Sequence, residues 1–187
     1  MRKLLLAIAA AVTFSGPLAV AASTWEIDPA HTSVQFAVRH MMVSTVRGTL
    51  GTVTGVVNLD ESDVTKSTVE ATIDVAGTDT REPKRDGHLR SPDLLDVSKY
   101  PTITFKSKRV TKEAEDRYGV TGDLTIRDVT KELIWDANGK IDGNEALGTA
   151  KTNFKFGYFN LNQPRVPRVL SIVDDIKLEL DLYFRLE

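Results

Sequence analysis

The sequence predicts an all-β domain of eight mainly antiparallel strands, broken once by a polar excursion. Three observations carry this. Residues 33–39, 67–76 and 176–186 alternate apolar and polar side chains. A period of two marks a strand with one buried face. Residues 81–107, REPKRDGHLRSPDLLDVSKYPTITFKS, break that pattern with charged and turn-forming residues. Finally, Gly48, Gly51 and Gly55 punctuate the long apolar run 45–59, as a sheet that bends or bulges requires.

Residues 1–21 read as a secretory signal peptide rather than fold. Arg2 and Lys3 precede an apolar run from Leu4 to Val12, Gly16 and Pro17 break it, and Ala19-Val20-Ala21 supplies small residues for cleavage. No second run approaches the roughly 20 apolar residues of a membrane span. The expected mature chain, residues 22–187, is therefore soluble and periplasmic or secreted. The sequence has no cysteine, so neither disulfides nor a lipid-bearing cysteine contributes, and stability rests on one ordinary core.

The first strand, 33–39, sets Val34, Phe36 and Val38 on one face. The second, 45–59, carries the three glycines. The third, 67–76, sets Val69, Ala71, Ile73 and Val75 inward against Thr68, Glu70, Thr72 and Asp74. The excursion follows, read as two short helices. Ser91-Pro92-Asp93 has the order of a helix start: a hydroxyl cap, a proline, then an acid at the positive helix end. Pro101 marks the return to extended chain. Ile103 and Phe105 resume the alternation, and Tyr118, Val120, Leu124 and Ile126 continue it. A tight turn at Arg127-Asp128, with Asp128 suited to left-handed backbone, leads to Leu133 and Trp135. Residues 145–157 form a weaker strand and 158–171 a loop. Ile176, Leu178, Leu180, Leu182, Phe184 and Leu186 define the last strand. Such strands bury their apolar faces together, either in a two-sheet sandwich or in a closed barrel able to hold one small ligand.

The formal charge is −2, and removal of Arg2 and Lys3 takes it to −4. That acidity argues against nucleic acid as a partner. Nothing in the sequence selects a monomer over a homodimer.

Several motifs bear a specific resemblance. W-x-I-D-P-x-H occurs at Trp25, Ile27, Asp28, Pro29 and His31, and V-x-F-x-V-x-H-M runs to His40 and Met41. R-D-G-H-L-R-S-P-D spans 85–93, D-V-S-K-Y-P 96–101, F-K-S 105–107, and G-D-L-T-I-x-x-V-T-K 122–131. In this order they resemble the YceI-like family of exported, lipocalin-like, polyisoprenoid-binding proteins. The resemblance implies an eight-stranded antiparallel lipocalin-like barrel over residues 22–187, with a short helical excursion at about 80–98 packed against it. It also implies an apolar pore for an isoprenoid-type lipid, such as a quinone tail, with no cofactor and no established catalysis. The sequence departs from the family's pattern at Leu94 and Leu95, where two phenylalanines are usual, and at Asp128, where glycine is usual. Asn153 and Lys155 replace an arginine and an acid, and the 158–171 loop bears an atypical Arg165 and Arg168.

The candidate pore residues are Val34, Phe36, Val38, Val69, Ile73, Ile103, Phe105, Leu124, Ile126, Trp135, Leu178, Leu180 and Leu182. Alternation alone is equally compatible with a solid core, and the resemblance favours a pore. His31, His40 and His88 lack H-x-H or H-x₃-H spacing, and no thiol accompanies them, so no metal site is expected. An enzyme built on Asp86 and His88 is the alternative function, since an acid beside an imidazole suits general acid–base work. No partner nucleophile or G-x-S-x-G accompanies them. The expected role of Arg81, Arg85, Asp86, His88 and Asp93 is a polar network pinning the excursion to the barrel rim. A packed barrel used only for protein contacts is the third reading.

Overall fold

The computed structural model describes residues 22–40, 44–161 and 172–187. Residues 1–21, expected to be a signal peptide, lie outside them, as do Arg165, Arg168 and the His40 side chain. Ten antiparallel strand segments form one sheet: β1 Ser23–Ile27, β2 Ser33–His40, β3 Ser44–Thr49, β4 Val53–Leu59, β5 Thr68–Asp74, β6 Thr102–Lys112, β7 Arg117–Ile126, β8 Val129–Asp142, β9 Glu145–Lys155 and β10 Ile172–Leu186. Their order is β1-β4-β5-β6-β7-β8-β9-β10-β2-β3, and β1 also pairs with β10.

Register turns the ten segments into eight barrel positions. β10 meets β2 from Ile172↔His40 to Asp181↔Ser33, and then meets β1 from Phe184↔Ile27 to Leu186↔Trp25. β1 and β2 are thus one interrupted strand. β3 and β4 are likewise one strand, pairing with β2 and β1 in turn. The ring closes, as expected of an eight-stranded antiparallel barrel.

Both interruptions have a local cause. At Asp28–Thr32 the backbone N–H of Asp28 donates to the Tyr183 carbonyl (2.8 Å). The Asp28 carboxylate accepts from His31 Nδ1 (2.8 Å), Arg185 Nη2 (2.9 Å) and the Ala30 N–H (2.9 Å). These bonds, His31's first, hold its carboxyl below the ordinary 3.8. The W-x-I-D-P-x-H motif is therefore the clasp of this break. At Leu50–Thr52, Gly51 lies so close to the Asp74 carbonyl that a Cβ would collide with it.

The connections sort to two ends. β4–β5, β6–β7 and β8–β9 turn at one end, beside the start of β1 and the finish of β10. The other end receives β2–β3, β7–β8, β9–β10 and the excursion. There Leu94 is buried with Val34, Val53, Val75, Ile126, Phe154, Phe159 and Leu178.

The excursion holds one α-helix, α1 Pro83–Arg90, rather than two. Glu82 caps it, accepting from the N–H groups of Lys84 (3.2 Å) and Arg85 (2.6 Å), with Pro83 in the first turn. Ser91 closes this helix instead of opening another, and its hydroxyl donates to the His88 carbonyl (2.7 Å). Residues 91–100 form hydrogen-bonded turns, because Asp96 at φ 48° leaves the right-handed helical path. The strand after β8 also ends earlier than expected, at Lys155, and a 3-10 turn, Phe156–Phe159, opens the following segment.

Thr80 is the hub that pins the excursion. The Asp86 carboxylate accepts from its N–H (2.8 Å) and its hydroxyl. Arg85 donates to the Thr80 hydroxyl (2.7 Å) and carbonyl (3.0 Å), and Arg90 to the Thr78 carbonyl (2.8 Å). Among the five side chains expected in this network, Arg85 and Asp86 take part. Arg81 contributes only its backbone N–H, to Asp79, and His88 faces Asp93 at 3.8 Å on the surface. The β7–β8 turn adds a second anchor. Arg127, not Asp128, takes the left-handed backbone, at φ 58°. Its Nη1 donates to the Leu94 carbonyl (3.1 Å) and its guanidinium lies 5.7 Å from the Tyr100 ring centre, contacts that offset the backbone cost.

Two outcomes follow. Gly51→Ala lowers the melting temperature, measured by circular dichroism, because the added methyl must push β5 away. Asp86→Ala lowers it by several degrees at pH 7. The Thr80 hydroxyl bond, against opposing burial, holds the Asp86 carboxyl below its ordinary 3.8. That contribution is complete above the unfolded value and is lost as pH falls through the folded one. The deficit of Asp86→Ala relative to the parent therefore narrows on acidification below about 3.8. An unchanged melting temperature at pH 7 rules out the pinning role.

Candidate ligand-binding cavity

The barrel is packed at the excursion end and hollow at the other. The hollow half encloses a cavity of about 460 Å³, within the ~300–1,000 Å³ typical of ligand pockets. Its floor is set by the innermost lining residue of several strands: Ile73 on β5, Ile103 on β6, Leu124 on β7, Trp135 on β8, Ala150 on β9 and Leu180 on β10. Trp25, Ile27, Val57, Val69, Phe105, Val110, Val120, Leu182 and Phe184 form the walls. Asp116, Asn138 and Lys140 lie at the mouth, where Ile141 is 50% exposed.

The void has a compositional cause. Several inward positions of the hollow half are small, Ala71, Ala137, Gly139 and Ala146 among the larger wall residues and Ala150 at the floor. Inward positions toward the excursion are large: Phe36, Leu133, Phe154, Ile176 and Leu178. The same alternation therefore yields a solid half and an empty half.

Among the candidate pore residues, Val69, Ile73, Ile103, Phe105, Leu124, Trp135, Leu180 and Leu182 line the cavity. Val34, Phe36, Val38, Ile126 and Leu178 do not. They point inward but lie below the floor, packed among side chains beneath the excursion. A period of two reports which face a residue occupies, not its depth along the barrel. The wall residues missed from sequence divide in two. Tyr118, Val120 and Phe184 already shared the recognised faces. Trp25 and Ile27 belong to a strand too short to show periodicity, while the alanines signal only through their size.

Polar candidates lie elsewhere. His31 sits in the β1–β2 break and His88 on α1, on separate parts of the barrel. Asp86 and His88 do not bond to each other, since Asp86 serves Thr80 and His88 faces Asp93. Asn153 and Lys155, the atypical pair on β9, are exposed beside a shallow outer groove and do not reach the cavity. No helix among the described residues is long and apolar enough to cross a membrane.

The YceI-like domain model matches residues 25–184, nearly all of the described barrel. The chain belongs to the YceI-like family. A UPF0312 protein of Vibrio parahaemolyticus is 35% identical over 156 residues, 82% of each chain. Among solved structures, BcnA of Burkholderia cenocepacia superposes with a TM-score of 0.77 at 21% identity, covering 84% of this chain and 98% of BcnA. A domain from Saccharophagus degradans, described as polyisoprenoid-binding, superposes at 0.67 with 12% identity, covering 87% and 98%. These structural likenesses establish a shared fold.

Substitution can separate the two halves of the interior. Ala150→Phe places a ring on the cavity floor and should abolish uptake of an apolar fluorescent probe while leaving the melting temperature near that of the parent. Ile126→Ala, in the packed half, should cost about 2–5 kcal/mol in denaturant unfolding and leave probe uptake intact. Retained uptake in Ala150→Phe contradicts the assigned floor.

Proposed function

We propose that this YceI-like protein is a non-catalytic binder that sequesters or carries an isoprenoid-type lipid, such as one with a quinone tail, in an aqueous compartment. The carrying observation is the apolar cavity: a floor of hydrocarbon side chains and one indole, opening at a mouth where Ile141 stays half exposed. The description of the Saccharophagus degradans domain as polyisoprenoid-binding supports the ligand class. The residues proposed to hold the lipid are those of the expected set that reach the void, Val69, Ile73, Ile103, Phe105, Leu124, Trp135, Leu180 and Leu182, joined by Trp25, Val120 and Phe184. The reading carries no cofactor, and the periplasm or the exterior is the proposed compartment.

The physics is passive. An apolar chain leaves water for a preformed apolar space, at roughly 0.8 kcal/mol per buried CH₂. A few five-carbon prenyl units offset the several kcal/mol of lost freedom on binding. Chain length therefore governs affinity more than the head group does. An enzyme built on Asp86 and His88 is the weaker reading, because the Asp86 carboxylate is committed to Thr80 at the closed end.

Native mass spectrometry of the exported protein tests the proposal. The expected result is a discrete added mass, released by organic extraction as a prenylated lipid. In reconstitution, affinity should rise with each prenyl unit until the cavity is full and then level off. Equal affinity for one-unit and four-unit analogues, or only apo protein after mild purification, contradicts it.

A further inference from the structure

Among the six floor residues, one side chain carries a polar atom, and that atom is shielded. Ile73, Ile103, Leu124, Ala150 and Leu180 present hydrocarbon, and Trp135 alone adds a donor, its indole Nε1. Trp135 is 5% exposed, and Nε1 has no hydrogen-bond partner among the described residues. Trp25, the other tryptophan in the wall, donates to Ser23 Oγ at 3.0 Å. The aromatic neighbour of Trp135 is Phe105, edge-to-face at 5.8 Å, which supplies a ring and no oxygen. Burying an N–H without an acceptor is unfavourable. A phenylalanine would cover a similar area without that penalty.

We infer that Trp135 is the specificity-determining residue of the cavity, its Nε1–H donating to a neutral oxygen that the ligand carries to the floor. This rests on the lipid-binding reading and deepens it. The oxygen belongs to a carbonyl, ether or hydroxyl at the inserted end of the lipid, and the hydrocarbon chain runs outward past Leu182 and Phe184 to Ile141. A carboxylate or phosphate does not fit, because a full charge at this depth would meet one neutral donor and no counter-charge. The nitrogen is shielded by its neighbours, so the inferred hydrogen bond includes a turn of the indole toward the void it lines.

The test uses the mature, delipidated protein and two probes with equal numbers of prenyl units: a prenylated benzoquinone and the oxygen-free polyprene. The parent should bind the quinone roughly tenfold more tightly than the hydrocarbon, the scale of one well-placed hydrogen bond released from an orphaned donor. Trp135→Phe should lose that preference, the quinone losing roughly tenfold more affinity than the hydrocarbon, and circular dichroism shows that the variant is folded. A measurement without mutation accompanies it. The protein has two tryptophans, so its ¹⁵N spectrum has two indole resonances. The Trp135 N–H should move downfield with the quinone and stay in place with the hydrocarbon. An unchanged preference in Trp135→Phe, or no preference in the parent, overturns the inference and leaves the lipid reading standing. Failure of both probes to bind the parent defeats the lipid reading and this inference with it.

Discussion

Closure of the sheet through β10 is the constraint on which the rest depends. One edge of β10 pairs with β9, and the other edge is shared in sequence by β2 and β1. A ring of eight positions encloses little more space than its own side chains fill. Whether such an interior is solid or hollow is then decided by side-chain size at each level. Here Phe36, Leu133, Phe154 and Leu178 fill the excursion end, while Ala71, Ala137, Gly139, Ala146 and Ala150 leave space in the other half. The cavity results from that gradient and needs no special element to create it.

The excursion and the β7–β8 turn make the packed end rigid. Thr80 gathers Asp86 and Arg85, Arg90 reaches the Thr78 carbonyl, and Arg127 spans from a left-handed backbone to the Leu94 carbonyl and the Tyr100 ring. Charged groups held in this way hold chain segments in place. At the mouth, β1 contributes only the pairs from Trp25 to Ile27 against β10, and the Asp28 clasp secures that short seam.

The alternation in the sequence made the strands legible, and the motif resemblance, not the alternation, pointed to a closed barrel rather than a sandwich. Thr68–Asp74 and the stretch of β10 from Ile176 to Leu186 keep a strict period, and the glycine-punctuated run 45–59 does bend where Gly51 meets β5. The excursion was legible as an interruption but not in detail. Ser91-Pro92 has the chemistry of a helix start, yet Glu82-Pro83 takes that role and Asp96 turns the following chain away. Similarly, Asp128 has the better intrinsic tolerance of left-handed backbone, but tertiary contacts place Arg127 there. Depth was the least legible property of the site. Val34 and Leu180 belong to equally apolar strand faces, and only their distance along the barrel separates core from cavity wall. The Trp135 donor gave no sequence signal, because its lack of a partner exists only after folding.

The account stands or falls on the hollow half of the barrel accepting a hydrocarbon chain. The most direct measurement is a crystal structure of the protein purified from the cells that make it, without delipidation. Continuous elongated density from the Trp135 and Ala150 level to the Ile141 rim is the result this account predicts. Side chains collapsed across the space between Ile103, Leu124 and Leu180, with no room for a chain, would contradict it.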